Sequence, residues 1–598
     1  MTILQALDRY YDRMAARGEA EEAGTSREKI GLCVCIASDG AVSEIIDLHE
    51  RSGRKAQPRL LAVPAAVKRT VAILPNRLWD KTAYALGRTA GAGSRTGQEH
   101  AAFKALHRDL LAGTNDPGLV ALLRFIETWD PADLDRFPHA LAALDANVVF
   151  RLGDERAFLH EREAARTLLA GAVASTSAQI GTTCLVTGTT ASAARLHPTI
   201  KGVAGAQSSG AALVSFNLDA FTSNGKVQGD NAPVSEAAAA RYGEALNRML
   251  DRGSPNRLAR SIGDATVVFW ADITEAVKEH AARATEDWFA AMLDPPPSDA
   301  GEAAKIGDRL DQVARGRPVA EAIPDVVPGT RFHVLGLAPN AARLSVRYWL
   351  DDSFESFAIR LAAHHAALRI EPLSKDWGGA PSIARLLVKT TALGEKFENI
   401  PPLLAGEVAR AVLGGGPYPR TWLAAIVTRL RAGDRPTGWH AAALRAGLTR
   451  GSLSTGDIPV SLAKDDPHPA YQLGRLFAAL ETAQRLALGR VNATIRDRYF
   501  GAASATPAGV FPLLLRGAQS HVGKLRKEGK DGWIEREIAE IVAHLPSSLP
   551  RSLRLEAQGR FAIGYYHQRE AQFAGRPALK AQVEAEADAG TEGENGDV

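Results

Sequence analysis

The sequence predicts an α+β protein, in which a mixed strand-and-helix N-terminal and middle region is followed by an all-α C-terminal helical bundle. Short runs rich in valine, isoleucine, phenylalanine and threonine recur over roughly the first 350 residues, with helical patterns between them. From Ser353 onward the spacing of apolar residues is almost wholly helical. A chain of 598 residues is too long for one hydrophobic core, so we expect about two to four domains.

The first predicted strands form a hairpin. Residues 30–38 and 41–50 flank an Asp-Gly dipeptide, which favours tight turns. Cys33 and Cys35 alternate along the first run, so both are expected on one face and in the core. Further strands are predicted at 147–153, 182–188, 212–216 and 265–272, and a pair of β-rich runs around an Ala-Pro-Asn turn at 332–350.

Helical patterns fill most of the remaining chain. An amphipathic helix is predicted at the N-terminus, others at 158–173 and 235–251, and four or five in 470–573. The triple proline at 295–297 is a candidate hinge. These patterns predict four segments: an α+β region at 1–330, a β-hairpin with connecting helices at 331–458, a helical bundle at 459–580, and an acidic, disordered tail at 581–598.

Charge is distributed unevenly along the chain. The net charge is +3, and the tail holds six acidic residues and no basic one, so the remainder carries +9. Residues 460–580 hold 18 Lys and Arg against 11 Asp and Glu. Such an excess suits a phosphate backbone, although dispersed basic residues on solvated helices are also common.

Composition and missing motifs narrow the function classes. No apolar run approaches a membrane span, no signal peptide is recognisable, and three cysteines cannot build a disulfide framework, so we expect a cytoplasmic protein. The chain lacks a phosphate-binding G-x-x-x-x-G-K-[ST] loop and an H-E-x-x-H or C-x-x-C metal motif. We therefore expect a protein that is not an enzyme and uses no metal or cofactor.

The stretch 201–232 is the most informative part of the chain. It is rich in glycine, serine, asparagine and glutamine, and such a surface can approach a polar polymer closely and hydrogen-bond to it. One alternative is a free-standing hydrolase or transferase with Ser208 or Ser209 as nucleophile. Ala206, however, occupies the position where a nucleophile elbow needs glycine.

Two other segments carry candidate binding residues. Asn76, in a Pro-Asn-Arg turn, offers an amide that can read base edges or can cap a helix. In the C-terminal part, basic side chains recur across the predicted helices and suit sequence-independent tracking of a single strand. They are Arg496, Arg498, Arg516, Lys524, Arg526 and Lys527. Arg496 and Arg498 could instead form ion pairs with Asp497 or Glu481.

The chain resembles the large subunit of the type I-C CRISPR surveillance complex, the Cascade of the Dvulg subtype. The resemblance runs from the first helix to about residue 573. Among the matching segments are LPNRLWDKTAYALG, ARLHPTIKGVAGAQSSGAALVSFN, GKVQGDNAPVSE, FHVLGLAPNAARLSVRYW and NATIRDRYFGAASATPAGVFPLLLR.

This resemblance implies a non-catalytic role. The family's large subunit recognises the short flanking motif (the PAM) in double-stranded target DNA, promotes duplex opening and R-loop formation, and assists recruitment of a helicase-nuclease, while guide pairing supplies sequence specificity. The implied partners are the CRISPR guide RNA, the displaced single strand, the Cascade backbone subunits, the 5′-handle-binding subunit and the small subunit.

Residue chemistry and the resemblance together assign candidate contacts. Flanking-motif recognition is assigned to Asn76, Gln207, Ser208 and Ser209. Phosphate contacts or loop support are assigned to Lys201, Lys226 and Gln228, and non-target-strand binding to the six basic residues named above. The family's small subunit is thought to arise by internal translation of the same gene. No Met lies near residue 460, so we expect a non-AUG start, such as GUG at Val460.

Overall fold

The computed structural model describes residues 1–20, 24–52, 55–67, 69, 72–176, 181–273, 278–295, 300–372, 381–394, 396–451, 457–489, 493–529 and 532–574. The chain forms two compact units. The first unit comprises residues 1–200 and 212–248, and the second comprises residues 201–211 and 249–598. The observed mixture of sheets and helices, with a helical C-terminal region, confirms the predicted α+β class.

Up to residue 250 the regular elements are, in chain order, α1 (Ile3–Ala16), β1 (Thr25–Ile36), β2 (Val42–Asp47), β3 (His49–Ser52), β4 (Lys55–Pro64), β5 (Trp79–Lys81), α2 (Thr82–Ala85), α3 (Thr96–Leu111), α4 (Pro117–Thr128), α5 (Pro138–Ala142), β6 (Asn147–Leu152), α6 (Glu163–Thr176), β7 (Thr182–Thr183), β8 (Thr190–Ala191), β9 (Thr199–Ile200), β10 (Ala211–Ala212) and α7 (Glu236–Leu250). Short 3₁₀ helices lie at Pro131–Arg136, Leu159–Glu161, Asp219–Phe221 and Gln228–Asn231.

The main sheet of the first unit is built around the long strand β1. Within the described residues its order is β3-β4-β1-β6-β5, and β2 pairs with the C-terminal half of β1. The β1–β2 hairpin is antiparallel, as predicted, whereas β1 and β6 run parallel. Alternation along β1 places Leu32 and Val34 in one core and the buried Cys33 and Cys35 in another. The prediction for the two cysteines is therefore confirmed.

His107 of α3 connects the helices to the segment before β5. Its Nδ1 lies 2.8 Å from the Phe103 carbonyl oxygen, and its Nε2 accepts the Leu78 backbone N–H at 2.8 Å. Complete burial lowers the pKa of His107 to about 4, so the ring is neutral at physiological pH. A neutral ring with these two contacts fixes Leu78, whose φ of 63° is unusual for a branched residue.

The predicted N-terminal helix is confirmed as α1, and it is anchored to α7. Thr2 caps α1 by accepting the Gln5 N–H. The Arg241 guanidinium donates to Asp8 and Asp12 at 2.6 Å each and stacks over Tyr11. This three-part contact holds together segments more than 200 residues apart in the sequence.

After residue 250 the elements are β11 (Thr266–Ala271), α8 (Glu279–Leu293), α9 (Ala300–Ala314), α10 (Val319–Ala322), β12 (Arg331–Asn340), β13 (Arg343–Ser353), α11 (Phe354–Ala367), α12 (Ile383–Val388), α13 (Pro402–Gly414), α14 (Arg420–Arg431), α15 (Gly438–Thr449), α16 (Pro469–Leu488), α17 (Ile495–Ala505), α18 (Pro507–Lys527), α19 (Trp533–Ala543) and α20 (Leu555–Ala574). Two 3₁₀ turns lie at Ala392–Gly394 and Phe397–Asn399.

The sheet of the second unit crosses the boundary that the sequence suggested at residue 330. β11 pairs with β12, and β12 pairs with β13, all antiparallel. A cut at residue 330 would separate β11 from its partner strand. A contact also crosses the boundary predicted at 458, because the Val460 carbonyl accepts the Glu371 N–H at 2.8 Å. One continuous core runs from Leu258 to Tyr566.

Among its described residues the C-terminal bundle contains five helices, α16 to α20, in agreement with the four or five predicted, and its centre is the contact between α16 and α20. Gly474 of α16 lies against the Phe561 carbonyl, and Gly564 of α20 lies against the Tyr471 carbonyl. Phe477 packs edge-on against Phe500 and Phe561. The small residues let two backbones meet, and the aromatic rings fill the space beside them.

Two predicted strands differ from the structure. In 182–188 only Thr182 and Thr183 form a strand. The chain then forms a turn, which is closed by a hydrogen bond from the Gly188 N–H to the Cys184 carbonyl. In 212–216 the strand ends at Ala212, and the apolar side chains beyond it are only half-buried. The triple proline lies partly, and the acidic tail wholly, outside the described residues.

Candidate nucleic-acid interface

Residues 201–211, which belong to the second unit, are fixed at several points. The Ala204 N–H donates to Thr266 Oγ1 on β11 at 2.9 Å, and the Val203 and Ala211 side chains are buried. Gly202 has φ 87°, and a Cβ there would lie 2.7 Å from the Leu250 carbonyl oxygen. Glycine is therefore required at this position, both for its left-handed backbone and for the close approach.

Between these anchors the chain forms an exposed β-turn at 207–210. The Gly210 N–H donates to the Gln207 carbonyl oxygen at 2.8 Å, which places Ser208 and Ser209 at the tip. The side chains of Gln207, Ser208 and Ser209 are exposed, and none of them has a hydrogen-bond partner among the described residues. Two hydroxyls and one amide are thus available to a ligand on a firmly held turn.

Residues 212–232, in the first unit, carry a second exposed turn. Asn224 and Gly225 have φ values of 52° and 73°, the left-handed pair that a type I′ turn requires. Lys226 follows this turn and its side chain is exposed. Asn231 stabilises the turn, because its Nδ2 donates to the Lys226 and Gln228 carbonyls and its Oδ1 accepts the Ser223 N–H. Gln228 is half-buried with φ 50°, which suits loop support.

Asn76 is buried, with an exposure of 4%. Its Oδ1 accepts the Val67 N–H at 2.8 Å, and its own N–H donates to Asp80 Oδ2 at 2.8 Å. Asp80 also accepts Arg69 Nη2 at 2.5 Å, and the Arg69 guanidinium lies 4.0 Å from the centroid of the Tyr84 ring. The amide thus helps to shape the segment before β5 and caps no helix.

The candidate flanking-motif residues belong to both units. Lys201, Gln207, Ser208 and Ser209 lie in the second unit, and Asn76, Lys226 and Gln228 lie in the first. Lys201 is exposed, as is Lys226. Within the second unit, the loop 201–211 brings four of the seven candidates together.

Four of the candidate strand-binding residues lie on one exposed side of α18. We call this set the basic face; it comprises Arg516, Lys524, Arg526 and Lys527. On a helix these positions lie within about 80° of Arg516, and Arg516 and Lys527 are about 16 Å apart along the axis. Lys524 pairs with Glu528 at 3.8 Å, and Arg526 pairs with Glu535. Arg516 and Lys527 have no ion-pair partner among the described residues.

Arg496 and Arg498 of α17 differ in environment. The Arg496 side chain is only 11% exposed, pairs with Asp497 and donates to the Gly433 carbonyl at 3.1 Å. The predicted ion-pair alternative with Asp497 is thus present for Arg496. Glu481, the other predicted partner, instead accepts Arg485 and the Tyr565 hydroxyl. Arg498 is exposed.

The sequence interpretation missed the residues that organise these sites. Asp80, with Arg69, fixes the segment around Asn76, and Asn231 fixes the Lys226 turn. In the sequence Trp79-Asp80-Lys81, no local signal indicates that the aspartate is buried. The spacing from Asn224-Gly225 to Asn231 could have suggested a loop closed by an amide.

In the part of the chain that the structure describes, no group of three or more His, Cys, Asp or Glu side chains could hold a metal ion. No helix in the same residues is both long and apolar enough to cross a membrane.

Comparison with protein families shows to which family the chain belongs. A family model described as CRISPR-associated protein (Cas_Csd1) matches residues 7–573. The chain belongs to the Cas_Csd1 family. A search of the curated proteins gave no match. The Cas_Csd1 match spans both compact units and ends within α20, so the 207–210 turn and the basic face both lie inside the family region.

Proposed function

We propose that this Cas_Csd1 protein is the non-catalytic large subunit of a type I-C RNA-guided surveillance complex. It recognises the PAM in double-stranded DNA, promotes duplex opening and R-loop formation, and assists recruitment of a helicase-nuclease. The observation that carries the proposal is the 207–210 turn, whose amide and two hydroxyls are exposed and unpaired within the described residues. Family membership supplies the CRISPR context.

The chemistry of the turn suits base edges better than phosphates. Amide and hydroxyl groups donate and accept hydrogen bonds, so they can distinguish acceptors from donors in a groove. Lys201 and Lys226, both exposed, can contact phosphates without conveying sequence. Asn76, being buried, is assigned the role of shaping its segment, and Gln228 that of supporting the second turn.

The basic face of α18 suits the displaced single strand. Its cations are exposed on one side of the helix, and basic side chains that track a backbone bind without sequence preference. Arg498 extends the same role, whereas Arg496 is assigned to the bundle interior because its side chain is largely buried. In this proposal the protein's remaining partners are the guide RNA, the backbone subunits, the 5′-handle-binding subunit and the small subunit. The small subunit would be translated from an internal start near Val460.

A free-standing hydrolase or transferase is the alternative. A nucleophilic serine needs a base within hydrogen-bond reach. Neither Ser208 nor Ser209 has such a neighbour among the described residues, which favours the binding role. Co-purification of a guide RNA with repeated backbone subunits supports the surveillance complex, whereas a monomer that reacts with a serine-directed probe supports the enzyme.

Replacing Gln207, Ser208 and Ser209 together by alanine is expected to weaken binding of the assembled complex to PAM-containing duplex by about tenfold or more, because a good base-edge contact contributes about 1–3 kcal/mol. Binding to duplex with a scrambled flank should change little. Equilibrium binding to both duplexes, at one salt concentration, measures the difference.

The matched control is Ser38→Ala, in the exposed β1–β2 turn. It should leave binding to both duplexes unchanged. If the triple variant weakens both duplexes equally, or weakens neither, the turn does not recognise the flanking motif.

Reversing Arg516 and Lys527 to glutamate is expected to flatten the salt dependence of single-stranded DNA binding. Removing one phosphate contact lowers the slope of log K against log salt by about 0.7, so the double variant should have a slope shallower by about 1.4. Fluorescence anisotropy on the assembled complex from low to high salt gives the slope. Arg315→Glu, at an exposed position directly after α9, is the control. An unchanged slope in the double variant removes the basic face from the strand path.

A further inference from the structure

Four arginines meet in a pocket of the C-terminal bundle that the proposed function does not use. The pocket lies between α16, α17, α20 and the segment after α14. Its lining includes Arg435, Arg485, Arg496, Arg569, Glu481 and Tyr565. Four cations and one carboxylate is an unusual lining, because like charges in a partly desolvated site repel each other.

Three of these arginines have an acidic partner. Arg485 Nη2 lies 3.2 Å from Glu481 Oε1, Arg569 Nη2 lies 2.9 Å from Glu570 Oε1, and Arg496 pairs with Asp497. The second oxygen of Glu481 is occupied as well, because it accepts the Tyr565 hydroxyl at 2.5 Å. Glu481, the carboxylate that lines the pocket, is therefore already engaged, as are Asp497 and Glu570 beside it.

Arg435 is the fourth cation, and among the described residues it has no ion-pair partner. Its burial and the charges of Arg496, Arg569 and Arg485 lower the pKa of its guanidinium. The group is half-buried and lies in the field of three other cations. Such an arrangement is destabilising unless an anion compensates it.

Unused donors provide a second, independent sign of a ligand. The Nε atoms of Arg496 and Arg569 are buried, and neither has a hydrogen-bond partner within the described part of the chain. Leaving a buried charged donor unsatisfied costs more than a neutral one. Both atoms belong to side chains that line the same pocket.

We propose that this pocket, which we call the arginine pocket, binds a phosphate group. A tetrahedral phosphate presents acceptors in several directions, so donors from three helices and a loop can reach it at once, whereas a carboxylate presents its two oxygens in one plane. Guanidinium groups match phosphate geometry through paired N–H donors. Phosphate binding here is separate from PAM recognition. It would remain possible even if the 207–210 turn does not recognise the PAM.

The phosphate can come from the nucleic-acid backbone or from free phosphate. The test uses the full-length chain. One arm adds inorganic phosphate, and the other adds a single-stranded oligonucleotide whose only phosphates are those of its backbone. Thermal unfolding is measured against added phosphate and against sodium chloride at equal ionic strength. The variant is Arg435→Gln, and the control is Arg551→Gln, an exposed arginine of the same bundle.

We expect two changes in the unfolding temperature that an arginine with a purely structural role would not produce. Without phosphate, Arg435→Gln should unfold at a higher temperature than the parent, because one repelling charge is gone. Phosphate should raise the unfolding temperature of the parent and of Arg551→Gln but not of Arg435→Gln. About tenfold weaker oligonucleotide binding by Arg435→Gln then identifies the nucleic-acid backbone as the source. Unchanged oligonucleotide binding identifies free phosphate.

Three results overturn the proposal. The first is a parent protein that phosphate stabilises no more than chloride does. The second is an equal phosphate effect in the parent and in Arg435→Gln. The third is an Arg435→Gln variant that is less stable than the parent without phosphate, or fails to fold, because Arg435 would then be satisfied within the protein.

Discussion

Replacing Gly474 by alanine is expected to destabilise the second unit by about 3 kcal/mol. A Cβ at this position would lie 1.9 Å from the Phe561 carbonyl oxygen and 2.8 Å from the Tyr565 nitrogen. Both are backbone atoms of α20, so no side-chain rotation can relieve the overlap. The two helices would have to separate, and the aromatic packing of Phe477 against Phe561 would loosen with them.

Denaturant unfolding of the purified chain, followed by circular dichroism, measures this change. Gly517→Ala is the matched control, since Gly517 lies in α18 and a Cβ there has no atom within 4 Å. Its expected effect is a small stabilisation of about 0.5–1 kcal/mol, because alanine is the better helix former. Equal midpoints for the parent and Gly474→Ala would show that the helices do not meet this closely.

Replacing Asp80 by alanine is expected to destabilise the first unit by about 3–5 kcal/mol. Its carboxylate is completely buried and accepts Arg69 Nη2 at 2.5 Å, the Lys81 N–H at 2.7 Å and the Asn76 N–H at 2.8 Å. The variant leaves the Arg69 charge, half-buried over Tyr84, without its carboxylate.

Asp135→Ala is the control for this measurement. Asp135 is 62% exposed and pairs with Arg88 at 3.0 Å, and a surface pair of this kind contributes about 0–1 kcal/mol. Asn76→Ala belongs in the same series. We expect Asn76→Ala to lower the stability of the first unit, and any loss of PAM binding should be a result of this loss of stability. Selective loss of PAM binding at unchanged stability would instead support direct contact by Asn76.

Local patterns predicted the elements that depend on neighbouring residues. The β1–β2 hairpin, the β12–β13 pair, α1 and the five helices of the bundle all follow from periodicity and turn residues close in sequence. The strand predicted at 212–216 failed because an apolar run becomes a strand only where a partner strand is available, and pairing there stops at Ala212.

Long-range relationships could not be predicted in this way. The pairing of β11 with β12 joins residues more than 60 positions apart, on either side of the boundary predicted at 330. The burial of Asn76 depends on Asp80 and Arg69, and the placement of Arg496 depends on helices that meet only in the folded bundle. The exposure of Gln207, Ser208 and Ser209, by contrast, was already implied by their glycine-flanked, polar surroundings.

The burial of α20 has a consequence for protein synthesis. This helix, near the end of the chain, packs into α16 and places Gly559 beside Leu423, Leu444 and Leu448. While the ribosome is still translating α20, the surfaces that it will cover are apolar and open. The second unit therefore completes its core only after α20 has emerged, and until then those surfaces are available to chaperones or to other nascent chains.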